Sequence, residues 1–163
     1  MQQTAGRAII RTSWASNVVF AVTALPLVAG ADGLRSAAIV TALVLFAASL
    51  VVWVWAFAAA VRRSAEGDNI VVSNLFLIEG DAPRAVRAHL YGSFGVCLAI
   101  TALTASSDPF GVLVPMLPLG LVGLWGARHG VFPSRSGTLV PDPPLRPERN
   151  GSTRGVSGGR AGE

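Results

Sequence analysis

His89 and His129 are the two histidines of the chain, and with Glu79 and Asp81 they are the residues whose types could assemble chemistry. Two imidazoles and a carboxylate can hold zinc and leave a position open for water. The two histidines lie far apart in sequence, and no HExxH or comparable run links them. A metal centre at His89 and His129 therefore requires separate elements to bring their ends together. Cys97 is the single cysteine, so no internal disulfide can form, and its place in an apolar run makes it an inert packing residue. No phosphate loop, dinucleotide fingerprint or nucleophile elbow is present, and no cofactor is expected.

The elements that must position these residues are set by composition. The 163 residues are 52% hydrophobic and only 13% charged, with a mean hydropathy of +0.54. That is too apolar and too poor in charge for an ordinary soluble domain, so a bilayer is the expected solvent. All 13 basic residues are arginine, which reads as the codon bias of a GC-rich genome and points to a bacterium. A pI near 11.0 does not make a nucleic-acid binder here, because the arginines flank apolar segments instead of forming a stripe interleaved with aromatics.

Uncharged runs cover residues 12–31, 36–61, 88–107 and 109–127. At 1.5 Å per residue the second reaches about 39 Å, beyond the roughly 30 Å hydrocarbon core, and should tilt or protrude. Trp53 and Trp55 lie towards its arginine end, where amphipathic rings favour the headgroup level. Asp108 followed by Pro109 is a good helix start, and Pro115 with Pro118 should interrupt the fourth span. The first run has a second reading as a cleavable signal peptide, with Pro26 and then Ala29, Gly30 and Ala31 in a small-x-small pattern. The expected fold class is an all-α membrane protein. Four transmembrane helices form two antiparallel hairpins over residues 1–131, with a short interfacial segment between them and a disordered Pro/Gly/Arg-rich tail over 132–163.

Direction follows from arginine. Four spans place Arg7, Arg11, Arg62, Arg63, Arg84, Arg87, Arg128 and the tail arginines on one side, and Arg35 alone on the other. Both termini are then cytoplasmic in the inner membrane. Within lipid, close backbone approach at small residues drives association, and Ala88, Gly92, Gly95, Ala99, Ala102 and Ser106 recur on one face of the third span. Gly92 and Gly95 are expected to meet Gly120 and Gly123 of the fourth. None of the four runs contains Asp, Glu, Lys or Arg, although ion and proton pathways use intramembrane ionisable groups. Small four-helix multidrug exporters resemble the chain in size, but their embedded glutamate has no counterpart.

Residues 62–87 separate the two pairs of spans. Asp68 is expected to cap a short helix over about 69–79, with Val72, Leu75 and Phe76 on an apolar arc resting at the bilayer surface between arginine pairs. Val72, Leu75, Phe76, Arg62 and Arg63 are therefore the candidate contacts for membrane lipid, for a membrane-protein partner or for a second copy of the chain. The blocks GDNIVVSNLFLIEGDAPRAVR (67–87) and GLWGARHGVFPSR resemble those of small conserved integral membrane proteins of actinobacteria whose function is uncharacterised. The resemblance covers about the second half of the chain, and implies a multi-span inner-membrane protein while supplying no catalytic residue. Two function classes stay open: an accessory or scaffold component of the cell membrane, and a small membrane enzyme or transporter using the cytoplasmic ends of the third and fourth spans.

Overall fold

The computed structural model describes residues 2–78 and 82–132, with backbone alone for residues 2–5 and Asn74. Its elements among these residues are helices joined by turns: α1 (Gln2–Val28), α2 (Arg35–Ala65), α3 (Val72–Leu75), α4 (Arg84–Thr104) and α5 (Met116–His129). Four segments are long and apolar enough to cross a membrane: Gly6–Val28, Asp32–Ala65, Arg84–Thr104 and Pro109–His129.

The turns follow from local chemistry. Past Pro26 the chain leaves α1 through Gly30, whose φ of 85° suits a residue without Cβ, and a 3-10 turn at Asp32–Leu34 leads into α2. An exposed Arg35–Asp32 pair at 3.1 Å closes this turn. At the other bend Thr104 accepts from the Asp108 backbone N–H at 2.7 Å, and the Asp108 side chain accepts from the Phe110 N–H over a 3-10 turn at Pro109–Leu113. Asp108 thus caps the fourth span as its sequence suggests, although the first turns are 3-10 and α5 proper starts at Met116. Pro115 marks that break. Pro118 falls in the first turn of α5, where the missing N–H has no intrahelical acceptor to lose, so it interrupts nothing.

The core is arranged around α5. In its span 72% of the most apolar stretch is buried inside the protein, against 17–33% in the other three. It packs most extensively on α2, while α1 packs most extensively on α4. One cluster joins Ile9, Ala56, Leu77, Leu90 and Trp125 with the leucines of α5 near the arginine-rich end, and a second joins Phe20, Ala24, Ala42, Cys97, Ile100 and Val114 towards the opposite end. Val40, Leu43, Val44, Leu50, Val51, Val54, Phe57 and Val61 of α2 stay exposed. A continuous apolar face of that length suits contact with acyl chains, not water.

Polar groups hold α1 to α4. Ser13 Oγ and Ser93 Oγ are 2.6 Å apart, and Asn17 Nδ2 donates to the Ser93 carbonyl at 2.7 Å and to its hydroxyl at 3.0 Å. All three side chains are buried. In lipid such bonds are glue between helices, each worth about 0.6 kcal/mol on average.

The small-residue seam does not join α4 to α5. Ala88, Gly92, Gly95, Ala99, Ala102 and Ser106 all face outward, and a Cβ at Gly92 or Gly95 would meet nothing within 4 Å. Gly120 instead receives the Trp53 ring and Val52 of α2, with a Cβ position 3.0 Å from the indole, and Gly123 faces Phe76. The physical reason is that α5 sits between several partners. Its small residues accept bulky side chains from α2 and the loop, so α4 makes its close contacts through Ser93, Leu90 and Cys97.

Candidate functional site

The ends of all four long helices that carry arginine converge. Gly6, Arg7, Ile10 and Arg11 of α1 meet Pro83, Ala85, Val86 and His89 at the start of α4 and Trp125 and His129 near the end of α5, around a cavity of about 630 Å³. Arg62 and Arg63 at the end of α2 lie beside Arg128 around a second cavity of about 290 Å³. Arg35 is at the opposite end of its helix.

His89 and His129 thus line the same cavity. The side chain of His129 stacks on Trp125, with ring centroids 5.3 Å apart and planes inclined by 25°. Among the described residues no three His, Cys, Asp or Glu side chains are grouped to hold a metal ion. Glu79 and Asp81 lie outside the described residues. Among the described residues the cavity walls carry Arg7, Arg11 and the two histidines but no carboxylate. Two further polar atoms at this end, Trp125 Nε1 and His129 Nδ1, are buried without a hydrogen-bond partner.

The loop is folded inward. Its helix is a single turn, Val72–Leu75, shorter than the expected 69–79 segment, and Asp68 does not cap it. Asp68 instead accepts from Arg63 Nε at 2.8 Å. Phe76 lies against Trp53 with centroids 5.9 Å apart, its carbonyl accepts from the Tyr91 hydroxyl, and Leu77 is 1% exposed at a positive φ of 57°. A Cβ at Gly126 would overlap the Leu75 carbonyl oxygen. Leu75 and Phe76 are therefore half-buried against the bundle, while Val71, Val72 and Ile78 are the apolar residues of the loop that remain exposed.

Arg63 is occupied as well. Besides Asp68 it donates to the carbonyls of Gly130 at 2.7 Å and Ala127 at 3.3 Å, and its guanidinium lies 4.7 Å from the centroid of the Phe132 ring. It satisfies carbonyls that a helix C-terminus leaves open. Phe132 is buried by this contact, so the folded unit runs one residue into the segment expected as tail; residues 133–163 lie outside the described residues. Arg62 is exposed, and Arg128 sits over Trp55 at 4.4 Å. The sequence gives no signal for Gly126 or Trp125, because both roles depend on segments distant in the chain.

The fold and this end of it define a helical bundle with four segments long and apolar enough to cross a membrane, whose arginine-bearing ends lie together. Comparison with family models, curated proteins and solved structures finds no match.

Proposed function

We propose that this chain is a multi-pass protein of the bacterial cell membrane, with both termini cytoplasmic. It acts as an accessory or scaffold component through contacts with lipid or another membrane protein at its arginine-rich end, and carries no catalysis of its own. The observation that carries the reading is the gathering of Arg7, Arg11, Arg62, Arg63 and Arg128 around two cavities, while among the described residues Arg35 stands alone at the opposite end. Retention of arginine on the cytoplasmic side sets the direction of such a bundle. The closely packed α5 supports a structural role over a conducting one, since a polar route for ions would need ionisable groups along the spans. With Leu75 and Phe76 folded inward, Val71, Val72, Ile78 and Arg62 are the surface this reading assigns to a partner.

The test joins topology to contact. Reporters fused after Glu163 and inserted at Gly33 should report cytoplasm and periplasm in that order, and the reverse pattern sinks the orientation. In native membranes, Val72→Ser with Ile78→Ser should remove crosslinked partners that a His89→Ala, His129→Ala double variant keeps. A second reading, a small enzyme or transporter, is favoured by one observation, that both histidines line one cavity. It replaces the scaffold reading if the histidine variant loses the cellular phenotype while the loop variant retains it.

A further inference from the structure

The larger cavity has a chemical bias that its neighbour lacks. Arg7 and Arg11 stand four residues apart on one face of α1, and neither has a carboxylate partner among the described residues. Trp125 is 6% exposed, its Nε1 has no acceptor, and that atom lies 2.9 Å from the position a Cβ would take on Gly6, at the cavity wall. Arginine and indole N–H groups are donors only. Among the described residues of the wall, two guanidinium groups and an indole N–H face no carboxylate, and His89 and His129 add ring nitrogens that can donate or accept. Ile10, Val86 and Pro83 supply apolar wall. In the smaller cavity Glu66 supplies a carboxylate, Arg63 is paired to Asp68 and Arg128 covers Trp55, which leaves Arg62 as the exposed cation of its wall.

We infer that the cavity between α1, the start of α4 and the end of α5 is a binding site for the phosphate headgroup of an anionic phospholipid, with Arg7 and Arg11 on the phosphate and the first acyl segment against Ile10 and Val86. A volume of about 630 Å³ falls in the range of roughly 300–1,000 Å³ usual for small-molecule sites. The cavity lies at the helix ends that carry arginine, the level at which headgroups lie. Trp125 Nε1 then gains an acceptor on a phosphate oxygen after a small shift of the α1 end. The inference deepens the accessory role and rests on lipid contact at the arginine-rich end.

The full chain in detergent micelles, titrated with dioleoyl phosphatidylglycerol and followed by native mass spectrometry, should retain one lipid that phosphatidylcholine does not displace. An Arg7→Gln, Arg11→Gln double variant should bind roughly 30-fold more weakly, from about 1 kcal/mol for each arginine near the surface. Arg35→Gln and Arg62→Gln should bind as the parent does. Ala85→Glu places a carboxylate at an exposed wall position and should also abolish retention, which keeps the test decisive if the arginine variant does not fold. Equal retention of phosphatidylcholine, unchanged binding in Ala85→Glu, or an equal loss in Arg62→Gln overturns the site. Inorganic phosphate in the millimolar range should not displace the lipid; full displacement would overturn the lipid assignment in favour of a soluble phosphate ester. Because binding is read in micelles, a failed orientation or crosslinking result leaves this outcome independent.

Discussion

Gly126→Ala is the sharpest perturbation of the packing around α5. A Cβ at this position would overlap the Leu75 carbonyl, and the loop backbone must retreat by about 1.5 Å for ordinary contact. Overpacking of this kind costs about 1–3 kcal/mol. Exchange of glycine for alanine in a helix also contributes up to ~1 kcal/mol of stabilisation, so the clash must be separated from the propensity gain. Gly123→Ala supplies the comparison on the same helix, since its Cβ would meet Phe76 at 3.6 Å, an ordinary contact. With propensity largely cancelling, Gly126→Ala should unfold more readily than Gly123→Ala by about 1–3 kcal/mol, roughly a 5- to 150-fold change in the unfolding equilibrium. Equilibrium unfolding by SDS in mixed micelles measures the difference. As the loop lifts, Leu77 should lose burial and Tyr91 its bond to Phe76, visible as faster hydrogen exchange in residues 71–78. Equal midpoints for the two variants would refute the close approach of loop and helix.

Other perturbations separate the remaining contacts. Ser93→Ala removes the hydroxyl shared by Ser13 and Asn17 and should cost about 1 kcal/mol, read by the same unfolding assay. Arg63→Gln releases Asp68 and the Ala127 and Gly130 carbonyls, so it should destabilise by about 1–3 kcal/mol and open the chain near Phe132 to protease. Gly95→Ala meets open space and should leave stability unchanged or slightly raised, against the loss expected if that glycine lay in a tight helix contact. Asp32→Asn breaks an exposed pair and should shift the unfolding midpoint by no more than the scatter of the measurement.

Local chemistry is what the sequence makes legible. The apolar runs locate four spans, Asp108 with Pro109 marks a cap, and Gly30 lies where the first span ends. Partner choice is not legible in the same way. A run of small residues says that something can approach closely but not what, so Gly92 and Gly95 face outward while Gly120 and Gly123 receive Trp53 and Phe76. An apolar arc likewise suits lipid and protein equally, and Leu75 and Phe76 turn to protein because Gly126 leaves room for the backbone behind them. Of the cavity residues, the two histidines stand out by type. Arg7, Arg11 and Trp125 become a set only once α1 and α5 are placed side by side.

The central position of α5 also bears on how the bundle is made. Ribosomes deliver this span after the other three, yet the interior is built on it: Leu117, Leu121, Val122, Leu124 and Trp125 form most of one cluster and Gly120, Gly123 and Gly126 admit its neighbours. Until then the nascent protein offers an empty trough between α1, α2 and α4, with the loop turn lacking its seat. Placement of α5 is therefore the step that brings the interior together. A chain stalled before Met116 would leave that trough exposed, with apolar side chains that α5 covers in the finished fold.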